Sequence, residues 1–359
     1  MLSVKDQVLA KQQVKKPARE LCTDFAILLS GGFGGRAGQT AGLLGSKDVL
    51  DLEDGESIIV MRVQEILEAG FKQVVLVARK GRAIQRYHEI FEEIDREYLD
   101  YLENSDSEYK KNLAERLREI QSYPVEIVEQ NPNLPYGNFS PLYTLYRMGK
   151  LKSGYSYLVS YADDDVMGEN PSERLRQAYL QGQADVVMMA QKVPEEEVSK
   201  FGTFDFVPEA LEYGNVDGNN CFLQGMVRQL AEKRPIGQAP SDIASLGRMI
   251  LPYDIFEYAL NSGYDPDGPK SAKEEGFSEF NTVDAINAMA DDGYRVMALG
   301  IVKGLWLTTG DVQSLNFARF ARDVDKHPES CVRDVRYLLS NPKTRQIVME
   351  EVARAMPSR

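Results

Sequence analysis

A glycine-rich segment near the start of the chain has the composition of a phosphate-binding turn. The apolar run Phe25–Ser30 leads directly into GGFGGRAG at 31–38. Glycine lets backbone N–H groups approach phosphate oxygens closely, and a helix that follows the turn adds a partial positive charge. Arg36, inside the turn, supplies a full positive charge that suits a triphosphate. The segment therefore predicts a site for a phosphorylated ligand.

The same turn also fits the loose dinucleotide pattern GxGxxA over Gly32–Ala37. Asp51 follows at about the distance where such folds place a ribose-binding acid. The dinucleotide motif opens its helix inside the turn, however, whereas here a long loop at 39–57 comes first. A glycine turn that binds nothing is the third interpretation, and all three stay open at this point.

Three consecutive aspartates, Asp163–Asp165, follow the apolar run YLVSYA at 157–162. Carboxylates at the carboxyl ends of parallel strands face the crevice where α/β proteins bind ligands. Oxygen ligands of this kind suit Mg²⁺, which bridges one or two carboxylates to substrate phosphates. An Asp-rich turn with capping roles is the alternative. The phosphate-binding turn upstream favours the metal interpretation.

The elements that must position these residues are strands of a parallel sheet. The chain opens in the order strand, turn, helix and strand, with the helix predicted over Ser57–Ala69; this order is typical of an α/β sheet. Five apolar runs predict buried strands: Phe25–Ser30, Val74–Ala78, Val125–Gln130, Tyr157–Ala162 and Asp185–Ala190.

Composition limits the classes of protein to consider. The chain has 359 residues, 43% of them hydrophobic, and a net charge of −13. This charge argues against sequence-independent nucleic-acid binding and against an anionic membrane surface as a partner. The three cysteines, Cys22, Cys221 and Cys331, lie far apart, so a zinc site is not expected. No apolar run reaches the length of a membrane span, and we expect a cytoplasmic protein.

The motifs, taken in order, resemble those of the sugar-1-phosphate nucleotidylyltransferases, most closely the bacterial branch that uses UTP and glucose 1-phosphate. The matching segments are SGGFGGR (30–36), GSKDVLDL (45–52), QNPNLPYG (130–137), VSYADDD (159–165), FGTFD (201–205), EKRPIGQAPSDIASLGRM (232–249) and SEFNTVDAI (278–286). The charged helical segment at 83–122 is also a feature of that branch. The resemblance covers about residues 24–320.

The resemblance implies a three-layer α/β/α Rossmann-like nucleotide-diphospho-sugar transferase fold around a mixed, mostly parallel sheet. We expect an N-terminal arm at 1–20, a transferase domain at 21–320 and a C-terminal helical segment at 321–359. Within the domain, a nucleotide-binding half (21–190) carries the helical insertion (83–122), and a sugar-phosphate half (191–320) follows. Members of the family often form dimers or tetramers, so the resemblance also implies self-association.

The resemblance further implies a role for individual residues in joining a nucleoside triphosphate to a sugar 1-phosphate. The implied nucleotide-binding residues are Ser30, Gly31, Gly32, Phe33, Gly34, Gly35, Gln130 and Gly137. Arg36 and Lys47 would contact the phosphates during the reaction, and Mg²⁺ would be held by Asp163, with Asp164 as the alternative. Gly202 and Glu232 would hold sugar hydroxyls, and Lys233 the sugar phosphate.

The chain departs from the family motifs at three single positions, and its segment SKDVLD (46–51) lacks the prolines of the family motif. Thr308 stands where the family has a second metal-side aspartate, and Asp311 lies three residues further on. Gly35 replaces a threonine and Asn138 a histidine. These changes leave open a second hypothesis. The protein would be a relative with reduced catalysis that binds nucleotide or nucleotide sugar as a regulator. An NAD-dependent oxidoreductase is the third hypothesis, and it rests only on the loose glycine pattern and Asp51.

Overall fold

The computed structural model describes most of the chain. The described residues are 19–30, 46–53, 56–79, 81–93, 95–135, 137–216, 219–269, 279–309, 311–340, 342 and 345–346. The predicted arm at 1–20 and the end of the predicted C-terminal segment therefore lie largely outside the described residues, and their roles stay predictions.

Ten strands of the described chain form the main sheet, and four short strands form two small ribbons. The strands are β1 (Glu20–Leu21), β2 (Ala26–Ser30), β3 (Asp51–Glu53), β4 (Glu56–Ser57), β5 (Val74–Ala78), β6 (Val125–Glu129), β7 (Tyr155–Tyr161), β8 (Asp164–Met167), β9 (Val186–Lys192), β10 (Gly202–Val216), β11 (Asn219–Glu232), β12 (Ile243–Pro252), β13 (Val296–Gly300) and β14 (Leu305–Thr308). β3 pairs with β4, and β8 pairs with β14.

Helices connect most of these strands. They are α1 (Ile58–Glu68), α2 (Arg82–Phe91), α3 (Arg96–Glu103), α4 (Glu108–Ser122), α5 (Ser140–Arg147), α6 (Pro171–Leu180), α7 (Ile255–Asn261), α8 (Thr282–Asp291), α9 (Val312–Lys326) and α10 (Pro328–Ser340), with a 3₁₀ helix at Glu195–Lys200. The charged segment at 83–122 thus forms helices, as its pattern predicts.

The main sheet is mixed and mostly parallel, as the sequence analysis predicted. Its order is β10-β11-β13-β9-β12-β7-β2-β5-β6, with β1 beside the start of β7. The pairings give eight of these ten described strands one direction, and only β11 and β12 run against it. The parallel strands β7, β2, β5 and β6 therefore end at the same edge of the sheet.

Both faces of the sheet are covered, which explains the unbroken apolar runs of its central strands. In β2, Ile27 and Leu29 face a core shared with α5, α7 and α8. Ala26 and Leu28, at the alternate positions, face a second core shared with α1, α2 and α6. Two helical layers on one sheet give the three-layer α/β/α architecture.

Two features differ from the sequence expectations. The segment EYGNVDGNN at 212–220 has the Gly, Asn and Asp content that is typical of turns. Its described residues, 212–216 and 219–220, instead belong to a long antiparallel hairpin, β10–β11, whose arms carry many polar residues. Asp164 and Asp165, for which an Asp-rich turn was the alternative interpretation, instead begin a second strand, β8. Their carboxylates tolerate this buried position because arginines from distant segments pair with them.

In the described part of the chain, no helix combines the length and the apolar character that a membrane span requires.

Replacing Leu28 with alanine tests whether the sheet face that packs against α1, α2 and α6 is buried. Leu28 is fully buried in the centre of β2, so Leu28→Ala should lower the free energy of unfolding by about 2–5 kcal/mol. Leu260→Ala, at an exposed position on α7, should lower it by less than about 1 kcal/mol. Urea denaturation measures both, and equal effects would contradict the described core.

Candidate active site

A cleft of about 860 Å³ opens at the edge where β2, β5, β6 and β7 end. This is the position at which open α/β sheets bind their ligands. The sequence-predicted residues that line it are Ser30, Lys47, Gln130, Gly137, Asp163, Asp164, Gly202, Glu232 and Lys233. The predicted phosphate-binding residues Gly31–Arg36 lie outside the described residues. The fold thus brings together predicted residues that lie up to two hundred positions apart in the sequence.

An ion pair joins the two sides of the cleft floor. Lys47 Nζ lies 2.8 Å from Asp163 Oδ2. The Lys47 side chain is largely buried, whereas 52% of the Asp163 side chain is exposed to the cleft. Desolvation would raise the pKa of Asp163, but the charge and hydrogen bond of Lys47 outweigh it and leave the pKa below its usual value. Asp163 is therefore an ionised carboxylate that faces the cleft.

Asp164 has a different environment from its neighbour. It is buried, and it accepts hydrogen bonds from the Arg248 guanidinium and, at 2.9 Å, from Trp306 Nε1. Burial raises the pKa of Asp164, against the opposing charge of Arg248. Because both carboxylate oxygens have donors, the geometry supports Asp163 over Asp164 as a metal ligand.

Arg248 is the centre of a buried ionic cluster behind the cleft. Its side chain is 0% exposed, and its Nε and Nη2 donate to the two oxygens of Glu65 at 3.0 and 3.1 Å. Arg62 also pairs with Glu65, and it extends the cluster to Asp165. Arg322 on α9 donates to the other oxygen of Asp165 at 2.5 and 2.8 Å. The cluster fixes the corner between β7 and β8 that presents Asp163.

The residues around Asp163 fit a metal ion only when substrate supplies further ligands. Within the described ranges, no three acidic, histidine or cysteine side chains are grouped closely enough to hold a metal. Thr308 pairs with Asp164 across β8 and β14 and lines the cleft. Asp311 also lines the cleft, but its carboxylate accepts the Ser314 N–H at 2.8 Å and caps α9. One carboxylate together with phosphates and waters is an arrangement that Mg²⁺ accepts.

The opposite wall of the cleft is formed where β10 begins and β11 ends. Gly202 and Glu232 are directly paired there. A Cβ at Gly202 would come within 2.9 Å of Glu232 Oε2, so the glycine leaves room for that carboxylate. Lys233 follows with a φ of 43°, an uncommon conformation outside glycine, and its Nζ lies 3.3 Å from Glu232 Oε1. This wall therefore offers both a negatively charged acceptor, Glu232, and a positively charged donor, Lys233.

Gln130 and Gly137 lie at the third side of the cleft. The Gln130 N–H donates to the Ala78 carbonyl at 2.7 Å, which fixes Gln130 at the end of β6. A Cβ at Gly137 would lie 3.2 Å from the Phe280 carbonyl, so a side chain there would crowd the backbone. Asn138, which replaces the family histidine, accepts the Thr282 N–H at 3.1 Å and thereby holds the start of α8.

Five charged residues of the described cleft were not named in the sequence analysis: Asp48, Arg79, Glu197, Lys200 and Glu279. Arg79 directly follows β5, and Asp163 lies two residues beyond the end of β7, so a position just after a parallel strand could have revealed Arg79. Lys200 and Glu197, on the 3₁₀ helix, also line the cleft, but no sequence signal distinguishes them from surface charges. The roles predicted for the other site residues stay predictions.

The family follows from a comparison with known protein families. The model of the nucleotidyl transferase family matches residues 25–322, which is well over half of the chain. The chain belongs to this family. The nucleotidyl transferase domain thus covers the main sheet from β2 onward and the whole cleft.

Two curated relatives and one solved structure illustrate what this nucleotidyl transferase resembles. The UTP–glucose-1-phosphate uridylyltransferase of Bacillus subtilis is 25% identical over 59% of this chain, and the match spans 65% of that relative's length. A uridylyltransferase of the same name from Staphylococcus epidermidis is 25% identical over 72% of this chain and 82% of its own. A UTP-bound UGPase from Acinetobacter baumannii shares the fold, with a TM-score of 0.62 and 21% identity, over 92% of this chain and 98% of that one.

Glu65→Gln tests the buried ionic cluster. The variant leaves Arg248 and Arg62 with less countercharge, and we expect a loss of about 3–5 kcal/mol at neutral pH. Burial would raise the pKa of Glu65, but the charges of Arg248 and Arg62 lower it from 4.5 to about 2. The contribution of ionised Glu65 is therefore complete well above pH 4.5 and is lost as the pH falls toward 2.

The deficit of Glu65→Gln should consequently be smaller near pH 3.5 than at pH 7, as measured by urea unfolding at both pH values. Glu68→Gln is the matched control, because Glu68 lies one turn further along α1 and is exposed. It should change stability by less than about 0.5 kcal/mol. A deficit that does not vary with pH would contradict the lowered pKa.

Proposed function

We propose that this nucleotidyl transferase joins UTP and glucose 1-phosphate to form UDP-glucose, with release of pyrophosphate. The observation that carries the proposal is the single cleft that holds the Lys47–Asp163 pair, Gln130 and the wall of Gly202 and Glu232. The names of the curated relatives supply the substrate identities.

In the proposed reaction, a phosphate oxygen of glucose 1-phosphate attacks the α-phosphorus of UTP. A new P–O bond forms as the bond to the β-phosphate oxygen breaks, and pyrophosphate leaves with the electron pair. Such transfers depend on alignment and on neutralised charge rather than on a covalent intermediate. Lys47 supplies a fixed positive charge beside the reacting phosphates. Glu232 and Gly202 orient the sugar, while Gln130 and the Gly137 backbone contact the base.

Magnesium is part of the proposal. Asp163 would hold the ion, and the substrate phosphates would complete its coordination. A bound Mg²⁺ neutralises charge that develops on the phosphates. The pairing of Asp163 with Lys47 supports an ionised, accessible carboxylate at this position.

The proposed partners are the two small substrates, and the proposed location is the cytoplasm. The three cysteines are free, which suits a reducing compartment. Self-association, implied by the family resemblance, stays a prediction.

Pyrophosphate release over UTP, dTTP and CTP with several sugar 1-phosphates tests the proposed function. We expect the highest rate with UTP and glucose 1-phosphate. Lys47→Ala should lower kcat by about 10²–10³-fold, because the reacting phosphates lose a fixed countercharge. Lys72→Ala, at an exposed surface lysine, should leave the rate unchanged. Absence of release with every pair would refute the proposal, and UDP-glucose binding without turnover would favour the regulatory alternative suggested by Thr308.

Thermal shift with UDP-glucose, with and without Mg²⁺, distinguishes the two candidate aspartates. A ligand that binds the folded protein raises its melting temperature. Asp163→Asn should remove the Mg²⁺-dependent part of the shift, and it should lower the free protein's melting temperature less than Asp164→Asn does, because Asp163 is half exposed. Asp164→Asn should lower the melting temperature of the free protein, since it weakens the contacts with Arg248 and Trp306. A full Mg²⁺-dependent shift in Asp163→Asn would exclude Asp163 as the ligand.

A further inference from the structure

A buried cluster of Ser30, Asp48 and Tyr87 lies against the cleft, and no role has been given above to Asp48 or Tyr87. The Tyr87 hydroxyl donates to Asp48 Oδ1 at 2.8 Å and reaches Oδ2 at 3.0 Å. Ser30 Oγ donates to Asp48 Oδ2 and also contacts the Tyr87 hydroxyl. Ser46 adds a further side-chain hydrogen bond to the carboxylate. Asp48 is 2% exposed and Tyr87 is fully buried.

The buried carboxylate of this cluster, Asp48, has different hydrogen-bond partners from the other buried acidic residues. Glu65, Asp164 and Asp165 contact arginines. The described side chains that hydrogen-bond to Asp48 are all hydroxyls. Burying a carboxylate costs free energy unless hydrogen bonds compensate for the lost water. At Asp48, hydrogen bonds from three hydroxyls offset this cost. A buried carboxylate held in this way indicates that the position of the turn at Asp48 matters.

The cluster fixes that turn to three separate elements. Through Ser30 the carboxylate is tied to the end of β2, and through Tyr87 it is tied to α2. The backbone adds the third attachment, because the carbonyls of Asp48 and Leu50 accept the first N–H groups of α1, from Ile59 at 2.8 Å and from Ile58 at 3.1 Å. These bonds also satisfy N–H groups that a helix start leaves without an intrahelical acceptor.

The residue just before Asp48 is Lys47, whose ammonium group pairs with Asp163 across the cleft. A lysine has a long, flexible stem, so its charge is preorganised only where its backbone is held and its side chain is confined. We propose that Asp48 and Tyr87 are positioning residues that hold Lys47 against Asp163. The catalytic consequence of this positioning rests on the proposed function, whereas the positioning itself does not.

Site-resolved acetylation of lysines tests the positioning without any substrate. The protein is treated with an amine-specific acetylating reagent, and mass spectrometry follows Lys47, with exposed Lys72 as the internal reference. In Tyr87→Phe and in Asp48→Asn, the Lys47 rate relative to Lys72 should rise about three- to tenfold, because the turn opens more often. Tyr179→Phe is the matched control: it removes a 2.8 Å hydroxyl–serine hydrogen bond outside the residues that line the cleft, and the Lys47 rate should not change.

Kinetics then measures the consequence for catalysis. Tyr87→Phe and Asp48→Asn should each lower kcat about 10- to 100-fold, because the ammonium group of a displaced Lys47 is no longer aligned with the reacting phosphates. The KM values for UTP and glucose 1-phosphate should stay within about twofold of wild type. In a Lys47→Ala background, Tyr87→Phe should cause no further loss, because both changes act through the same amine. A merely structural role would instead give additive losses.

The outcomes separate this inference from the proposed function. If the wild-type protein releases no pyrophosphate, the proposed function fails, while the acetylation rates still decide the positioning. Unchanged Lys47 acetylation in both variants, at melting temperatures near that of wild type, overturns the positioning. Raised acetylation with an unchanged kcat, or additive losses in the double variant, overturns its catalytic role. If one variant does not fold, the other decides these points.

Discussion

The contact between Arg248 and its two acidic partners is the interaction on which the site depends. Arg248 comes from β12, Glu65 from α1 and Asp164 from the start of β8, so one guanidinium joins three elements. Removing such charges from water costs several kcal/mol for each ion, and the cost is offset only by close pairing with full hydrogen bonding. Arg62 and Arg322 extend the pairing to Asp165. The result is a rigid corner that leaves Asp163 exposed in the cleft.

The parallel strands and this corner together give a strongly acidic protein a cleft that suits the two anionic substrates proposed for it. β2, β5, β6 and β7 end at one edge, where Ser30, Arg79, Gln130 and Asp163 lie at or just beyond the strand ends and line the cleft. Behind that edge, the acidic groups are paired with arginines or, at Asp48, accept hydrogen bonds from hydroxyls. In the cleft itself, Lys47 compensates Asp163. The net charge of the whole chain therefore does not describe the local charge that a phosphate meets.

Much of the fold was predictable because the central strands are buried on both faces. Ala26–Ser30, Val74–Ala78 and Val186–Lys192 are apolar runs of strand length, and the turn and helix patterns around them indicate a parallel sheet. The hairpin β10–β11 was not predictable in the same way. Its arms mix polar and apolar residues, and its register changes at several positions. Cross-strand pairing holds it together, and that pairing leaves little trace in one sequence.

The sequence by itself determined the family and the order of the motifs, because motifs can be recognised from residue types and their spacings without knowledge of the fold. Asp163–Asp165 could be identified as a group from the sequence, and Lys47 and Glu232 could be identified from their motifs. The resemblance preferred Asp163 to Asp164 as the metal ligand, and only the tertiary structure decided which of the two carboxylates is exposed in the cleft. Asp163 and Asp164 are identical in type and adjacent in sequence, yet the groups that separate them, Lys47 and Arg248, come from segments far along the chain. Burial and countercharge arise when those segments meet, so no local pattern contains them.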